Sequence, residues 1–450
     1  MEYDNYMNFS RDELIEITGA IVLKNELSAD FTFGISTDTR TVSESDIYLP
    51  LKGASFDGEN FIDKAIDTGC IAYFTANKTV YPKAKLVLKV ENTLNAYLKL
   101  AQYYREKINP ITIGITGSSG KTTTKEIVYS VLKEKFKTHK TFSNHNNEIG
   151  FCQTVLSMDK DTEALIVEMG MRGLGEIELI STHLTPDYAI VTNAGTAHIG
   201  RLGSVDNIAI AKCEIAKGLK AKGTFIALDQ DIIKKHIDFN GEKVFYSLED
   251  VKILKKAPSY SKFEYREEIY ELNVDGDYNI ENALSAIELG LKLGMTPNEI
   301  ANGLASYKPI EKRWEVEEIK GLKFINDSYN ANPESMKASV KAFIEAYQNP
   351  VVVLGNMGEL GENEVQYHKE VGDFLSTLNY KVKYITVGDL AKEIGETLIS
   401  KGFDVTTLDS IEQASCYILE NLNNSYTIFL KASRSMKFEQ ILEEIKKRDI

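Results

Sequence analysis

Through the middle and end of the chain, short apolar runs alternate with stretches whose hydrophobic positions recur every three or four residues. The short runs suit strands buried on both faces and the longer stretches suit amphipathic helices, so the alternation predicts a parallel α/β fold. Predicted core strands are ITIGI (111–115), ALIVEM (164–169), YAIVTN (188–193) and TFIAL (224–228). A later set comprises LKFIND (322–327), VVVLG (351–355), KYITVG (383–388) and YTIFLK (426–431). Between the two sets, residues 276–309 predict two helices. GDYNIENALSAIELGLKLG puts Ile280, Leu284, Ile287 and Leu291 on one face, and TPNEIANGLASY opens with a Thr-Pro helix start.

The first 107 residues are less regular, with strand-like pieces such as FTFGIST and one helix, LNAYLKLAQYYREK. Asn109 and Pro110 break that helix just before the first buried strand, and Lys308 and Pro309 mark a second break. Three α/β domains follow: a small one over 1–107, one with a mostly parallel sheet over 108–309, and a further β-α series over 310–450. No internal repeat of fixed period is present.

Composition narrows the class. Of 450 residues, 43% are hydrophobic and 26% charged, which excludes disordered and low-complexity chains. With 66 acidic against 52 basic side chains, the net charge of -14 and the lack of a dense Lys/Arg run argue against a nucleic-acid partner. No apolar stretch approaches the roughly 20 residues that span a bilayer, so no stable membrane insertion is expected. The polar, acidic start is unlike a signal peptide. Cys70, Cys152, Cys213 and Cys416 are too scattered for a disulfide or zinc framework. A cytoplasmic, multidomain protein is expected.

The strongest local signal is ITIGITGSSGKTTTKEIVYSVL. A β-branched strand runs into Gly117, Ser118, Ser119, Gly120, Lys121, Thr122 and Thr123, and a helix follows with Ile127, Val128, Val131 and Leu132 inward. Glycines let backbone N–H groups close around phosphate oxygens, and the helix N-terminus adds the positive end of a dipole. Lys121 supplies a charge for the β/γ-phosphates and Thr122 a hydroxyl for Mg²⁺. The spacing is a variant: the generic GxxxxGK[ST] loop would place its first glycine at Ile115, whereas glycines stand at 114 and 117. The loop predicts a nucleoside triphosphate site without separating kinases, ATPases, transporters and ligases.

Three polar groups then fall at or beyond the predicted C-terminal strand ends, where open α/β sheets bind ligands. Glu168 lies in ALIVEMGMRGLGEI, His198 in NAGTAHIG, and Lys212 in AIAKCEIAKGL on a predicted helix. With the phosphate loop they suit a Mg²⁺-nucleotide site, because Mg²⁺ favours oxygen ligands and phosphates.

The series TGSSGKTTTKE (116–126), NHNNEIG (144–150), VEMG (167–170), NAGTAHIG (193–200), AKCEIAKGL (211–219), NIENALSA (279–286), NDSYNANPESM (326–336), LGNMGELG (354–361) and KASRSM (431–436) runs in order along the chain. It resembles the Mur ligase family, ATP-dependent enzymes that build the peptide stem of bacterial cell-wall precursors. Within the family, DSYNANP with GNMGELG is similar to the branch that adds D-alanyl-D-alanine. STDTRTVSESDIYLPLKGASFDGENFI is similar to that branch's uridine-nucleotide-binding segment.

The resemblance implies a uridine-nucleotide-binding N-terminal domain, a central P-loop ATPase-like domain and a C-terminal Rossmann-like domain that helps bind ATP and D-Ala-D-Ala. It implies that the terminal carboxylate of UDP-N-acetylmuramoyl-tripeptide attacks the γ-phosphate of ATP, and that the dipeptide amine then displaces phosphate from the acyl phosphate. Lys121, Glu168, His198 and Lys212 would carry the chemistry. Thr122 and Glu168 would bind Mg²⁺, His198 a second Mg²⁺, and Lys212 would be carbamylated and serve the metal site. Gly117–Thr123, Asn282, Arg313 and Asp327 would bind ATP. Asp38, Thr39 and Arg40 would contact the uridine nucleotide, Asn144, Asn146 and Asn147 the muramoyl-peptide, and Asn330, Asn332, Ser433 and Arg434 the D-Ala-D-Ala side. A monomer is implied.

Four positions depart from the family pattern: Tyr278 and Glu59 where His is common, Lys312 where Gly often precedes the arginine, and Ala432 where Gly is usual. Ala432 would place a β-carbon near the dipeptide pocket. Rival readings are a sibling ligase adding one amino acid, a folylpolyglutamate-synthase-like ligase, and a nucleotide-regulated binding module without turnover. STDTR and DSYNANP oppose the first two, and the presence of Lys121, Glu168 and Lys212 opposes the third.

Overall fold

The computed structural model describes residues 7–448 apart from positions 29, 54, 78 and 311. The apolar run Ile111–Thr116 becomes an inner strand, since its side chains must be covered on both faces. It pairs in parallel with Tyr188–Val191 on one side and Ala164–Glu168 on the other. Thr224–Leu228 and Glu242–Tyr246 extend one flank, and Thr138–Lys140 the other. The strand order reverses direction around Ile111–Thr116, so a crevice opens at its C-terminal end, where ligands settle in such sheets.

The second β-α series forms a sheet in which Leu322–Asn326, Thr427–Lys431, Pro350–Gly355, Lys383–Val387 and Asp404–Leu408 run parallel. Glu315–Ile319, which the sequence pattern did not mark, closes one edge antiparallel. Because the last strand inserts between Leu322–Asn326 and Pro350–Gly355, it places KASRSM between DSYNANP and GNMGELG. The N-terminal segment is more regular than its sequence suggests, with a six-stranded sheet whose four inner strands are parallel. Its strands are two to five residues long, too short for a periodic signal.

One sheet was not anticipated. Lys252–Ala257, Tyr260–Tyr265 and Glu268–Leu272 form a three-stranded antiparallel meander between the parallel sheet and the helices. Its outer strand is exposed and lysine-rich, so it lacks an apolar face to reveal it. AKCEIAKGL is also not one continuous helix. The α-helix Val205–Cys213 gives way to a 3₁₀ turn over Glu214–Lys217. At Gly218 a β-carbon would lie 2.0 Å from the Ser181 carbonyl oxygen, so only glycine lets the chain pass.

The apolar cores run through the domain junctions. Ile280, Leu284 and Ile287, fully buried on the predicted face, join the central sheet to Val352, Leu354 and Phe429 of the C-terminal sheet. On the opposite side, Leu98 and Tyr104 of helix Thr93–Ile108 join N-terminal Phe33 and Phe74 to Leu165 and Val167. The Tyr104 hydroxyl donates to the Met158 carbonyl at 2.7 Å. No helix among the described residues is long and apolar enough to cross a membrane.

The phosphate-loop helix Lys121–Leu132 is held by helix Asp277–Lys292 and by Pro297–Ser306. At Gly303 a β-carbon would fall 2.4 Å from Val131 Cα and 2.7 Å from the Ser130 oxygen. Backbone cannot rotate aside as a side chain can. Gly303→Ala should therefore cost about 1–3 kcal/mol through overpacking, despite about 1 kcal/mol gained in helix propensity. Urea unfolding should show a lower midpoint with an unchanged slope; an unchanged midpoint would mean that the two helices part freely.

Candidate active site

The cleft between the central and C-terminal sheets holds a cavity of about 1180 Å³. Its floor is the loop after Ile111–Thr116. Gly117 has φ +154° and Gly120 φ +79°, and a β-carbon on Gly117 would meet Thr192 Oγ1 at 1.9 Å. Glycine thus lets the loop lie flat against the neighbouring strand's exit. That seat is tied by Ser118 N to the Asn193 carbonyl (3.0 Å), Ser119 N to Asn193 Oδ1 (2.9 Å), and Thr192 Oγ1 to the Ser119 carbonyl (2.6 Å). No side chain caps helix Lys121–Leu132, which leaves its first-turn N–H groups for an anion. Lys121 Nζ folds back onto the Gly117 carbonyl at 2.8 Å.

Glu168 ends the adjacent strand, 2% exposed. Its Oε1 accepts from Thr122 Oγ1 (3.1 Å) and Asn146 Nδ2 (2.9 Å), while Oε2 has no hydrogen-bond partner and lies 3.6 Å from Lys125 Nζ. Burial alone would raise its pKa, but Lys125, Asn146, Lys121 and Arg313 outweigh that and hold it below the usual carboxylate value. A charged carboxylate oxygen with no donor, beside a hydroxyl and facing a phosphate loop, fits a hard divalent cation. Among the described residues no three His, Cys, Asp or Glu side chains form a metal cluster. Mg²⁺ here would take most of its shell from phosphate, hydroxyl and water, as that ion commonly does.

Lys212 is fully buried, and its Nζ has no hydrogen-bond partner. Burial first, and the Lys121 charge second, push its pKa well below the ordinary lysine value. The sequence-based expectation that its helix turns a polar face to the phosphates does not hold for this side chain, which lies beneath the cavity wall. A buried amine without a hydrogen-bond partner, its pKa pushed down, is favourably disposed to react with CO₂. His198 does line the cavity, in the left-handed region at φ +67°, with Nδ1 2.5 Å from Glu359 Oε2.

The opposite wall comes from the C-terminal sheet. Register pairs Asn326 with Leu430, so Asp327 and Lys431 emerge together and form an ion pair at 2.5 Å. Asn330 Oδ1 accepts from Arg434 N at 3.3 Å. Arg313 lies over the Tyr329 ring, 3.7 Å from its centroid, and donates to Thr122 Oγ1 at 3.0 Å. This arginine from the third domain therefore already touches the phosphate loop.

Other expected residues fall differently. Asn144, Asn146, Asn147 and Asn332 all line the cavity, and the side-chain oxygens of Asn147 and Asn332 also cap helices Glu148–Leu156 and Pro333–Ala346. Asn282 Oδ1 accepts from Thr124 Oγ1 at 3.1 Å and sits against Gly120, so it braces the phosphate loop. Ser433 is buried outside the cavity lining. Asp38, Thr39 and Arg40 lie on the N-terminal domain, away from the cleft, with Arg40 paired to Asp38 at 2.5 Å. Ala432 does not crowd the dipeptide side: it is fully buried against Gly355, where a β-carbon would come within 2.7 Å of its own. Tyr278 packs edge-on to Trp314 in the wall, and Glu59 accepts from Thr75 and the Ala76 backbone.

Sequence reasoning passed over Lys125, Glu281, Glu334 and Glu359. Glu281 lines the cavity and is raised to about 7 by burial and by Asp277. Glu334 and Glu359 stand inside the quoted motifs ANPESM and GNMGELG, and only the cross-domain contacts reveal them.

Two family models match: the Mur ligase middle domain over residues 115–290 and the Mur ligase, glutamate ligase domain over 312–434. The chain is 35% identical over 429 residues to the UDP-N-acetylmuramoyl-tripeptide--D-alanyl-D-alanine ligase of Bacillus subtilis, covering 92% of this chain and 93% of that one. Among solved structures it resembles MurF from Acinetobacter baumannii (TM-score 0.89, 26% identity, 99% and 100% covered). It also resembles the MurF ligase of Thermotoga maritima in complex with ADP (TM-score 0.82, 27% identity, 94% and 99% covered).

Gly117→Ala tests the loop geometry. The new methyl meets Thr192 at a residue whose φ already disfavours L side chains, so loop and neighbouring strand must separate. Calorimetric ATP binding should fall at least about tenfold, the equivalent of roughly 1.4 kcal/mol. Pairing it with Thr192→Ser, which keeps the hydroxyl, should not restore binding, because the clash is with Oγ1. Wild-type affinity in the single variant would refute the close seat.

Proposed function

The chain belongs to the Mur ligase family, and we propose from that premise that it joins D-alanyl-D-alanine to UDP-N-acetylmuramoyl-tripeptide, cleaving ATP to ADP and phosphate. The product is the pentapeptide precursor of peptidoglycan. The observation that carries this reading is the cleft itself: a phosphate loop on one wall faces Asp327, Asn330 and Arg434 on the other. The named relatives point to the same substrates.

The reaction needs a carboxylate brought to a phosphorus atom and an amine brought to the resulting acyl carbon, and both steps gain chiefly from positioning. Loop N–H groups and Lys121 bind the phosphates and offset the charge that grows as the γ-phosphoryl group transfers. Arg313 reaches the same group from the C-terminal wall, while Asn144 and Asn146 hold the peptide carboxylate. Asn330 and Arg434 seat the dipeptide. Thr122 and Glu168 would hold Mg²⁺, with His198 at a second position. That metal, when bound, would neutralise charge on the phosphates. A cleft closed to water protects the acyl phosphate from hydrolysis.

Lys212 serves this site as a carbamate. Its neutral Nζ lone pair attacks CO₂, a C–N bond forms, one carbonyl π bond becomes a carboxylate oxygen, and a proton leaves to solvent. A buried amine beside Lys121 would thereby become an anion that Mg²⁺ tolerates. Functionally, residues 1–107 bind the uridine nucleotide, 108–309 bind ATP, and 310–450 contribute to both ATP and dipeptide binding. The enzyme works as a monomer in the cytoplasm.

Offering D-Ala-D-Ala, meso-diaminopimelate, L-Lys and glutamate with ATP and the UDP-tripeptide should give phosphate release with the dipeptide alone. Mass spectrometry should show the product extended by two alanines. Release with a single amino acid would overturn the assignment. Lys121→Ala should lower the rate about 10²–10³-fold in a folded protein. Lys212→Ala should be nearly inactive and partly restored by a short carboxylic acid, and Lys212→Arg should stay inactive because its charge persists. Full activity of the arginine variant would remove the carbamate.

A further inference from the structure

Glu359, from the C-terminal sheet, touches the central domain at one side chain of chemical interest. Its Oε2 lies 2.5 Å from His198 Nδ1, an ion-pair contact short of hydrogen-bond alignment, and no hydrogen-bond partner meets that nitrogen. The other carboxylate oxygen stands 3.5 Å from Arg201. We propose that Glu359 is the positioning residue for His198, fixing its ring so that Nε2 presents a lone pair to the nucleotide-bound metal ion. The proposal rests on the ligase reading for the existence of that metal position and goes beyond it by naming what orients the ligand.

The surroundings are built for this contact. Gly200 N donates to the Glu359 carbonyl at 3.1 Å, and a β-carbon on Gly361 would lie 2.7 Å from Gly200 Cα. Two glycines thus let the two backbones touch where the carboxylate meets the imidazole. Glu334 grips the same loop from the other side, accepting from Thr196 N (3.1 Å) and Thr196 Oγ1 (2.7 Å). His198 and Glu359 both have left-handed backbones, at φ +67° and +62°. Non-glycine residues hold such conformations only where the surroundings over-determine them, and such residues gather at functional sites.

Chemistry supplies the consequence. A neutral imidazole carries one N–H and one lone pair, and the partner of the N–H decides which nitrogen can bind a metal. A carboxylate facing Nδ1 favours the tautomer with the proton on that nitrogen, which leaves Nε2 as the ligating atom and raises its basicity. Because His198 and Glu359 sit on different domains, the ligand is oriented only while the domains are together. Metal affinity and domain closure are therefore linked, and each must favour the other.

The test needs neither peptide substrate, so a wrong substrate assignment would leave it untouched. Mn²⁺ is titrated into the enzyme with a non-hydrolysable ATP analogue, and free Mn²⁺ is counted by electron paramagnetic resonance. Wild type should show two Mn²⁺ sites. Glu359→Gln, which preserves shape and the backbone contact to Gly200, should weaken one of them about 10–100-fold. Metal-free binding of the analogue should be unchanged. Glu359→Asp, which keeps charge but shortens reach, should weaken the same site, and thermal melts identify whichever variant stays folded. In a His198→Ala background the Glu359→Gln change should have no further effect on Mn²⁺. Unchanged Mn²⁺ affinity in Glu359→Gln and Glu359→Asp, or losses that add in the double variant, would overturn the proposal and leave Glu359 as a domain clasp alone.

Discussion

Strand Ile111–Thr116 pairs in register with a strand on each side, and the chemistry of the central domain depends on those two ladders. The register sets Glu168 beside Ile115 and Val191 beside Thr116. The phosphate loop, the buried carboxylate and the Asn193–His198 loop therefore leave the sheet at one level. A slip in either ladder would carry Glu168 away from Thr122 and unseat Gly117 from Thr192. Parallel pairing with both faces covered makes that slip costly, since it would displace fully buried Ile113, Ile166 and Ile190 from their places in the core.

The C-terminal sheet repeats the device. Three adjacent strand ends deliver Asp327, Gly355 and Lys431, so two motifs more than a hundred residues apart meet because one strand inserts between two others. The two sheets thus oppose their carboxyl ends across the cleft. On a chain of net charge -14, the cleft collects Lys121, Arg313, Lys431 and Arg434, with Lys125 buried beneath it beside Glu168. Several of these cations are occupied by substitutes: Lys121 by a carbonyl, Lys125 by Glu168, Lys431 by Asp327. Triphosphate and metal binding would exchange such contacts for stronger ones, which fits a site preorganised for charge rather than assembled around it.

Much of this was legible in the sequence, for reasons that differ by residue. The eight core strands were readable because strands buried on both faces are written as continuous β-branched runs. The phosphate loop was readable because backbone N–H groups around phosphate require glycine there. Asn147, Asn282 and Asn332 were picked out as polar residues in a motif; all three line the cavity and also cap or brace local structure, a second role that sequence does not reveal. The meander over residues 252–272 was illegible because its outer strand has no buried face. Glu359 was passed over for a different reason: its partner lies on another domain, and the spacing along one chain carries no information about that contact.

Arg313 shows how a departure from family pattern is absorbed. Its neighbours Lys312 and Trp314 both hold left-handed backbones, φ +58° and +62°, a conformation that favours glycine. A lysine there costs about 1–2 kcal/mol in backbone strain. In return it gains contacts that glycine could not make through a side chain: Lys312 Nζ pairs with Glu439 at 2.8 Å, on the helix Glu439–Lys447. Its backbone N–H also donates to Glu315 Oε2 at 2.8 Å, a contact that glycine would keep. Glu439 in turn pairs with Arg434 at 2.7 Å. The tether therefore joins Lys312, next to the arginine that meets the phosphate loop, to Arg434 on the same wall, through one carboxylate. Trp314, 2% exposed, wedges the other side of Arg313 against Phe429 and Tyr278. The guanidinium is then held by a strained backbone between two anchors, stacked on Tyr329. Less of its freedom remains to be lost when phosphate arrives, and the strain at Lys312 and Trp314 is spent on that preorganisation.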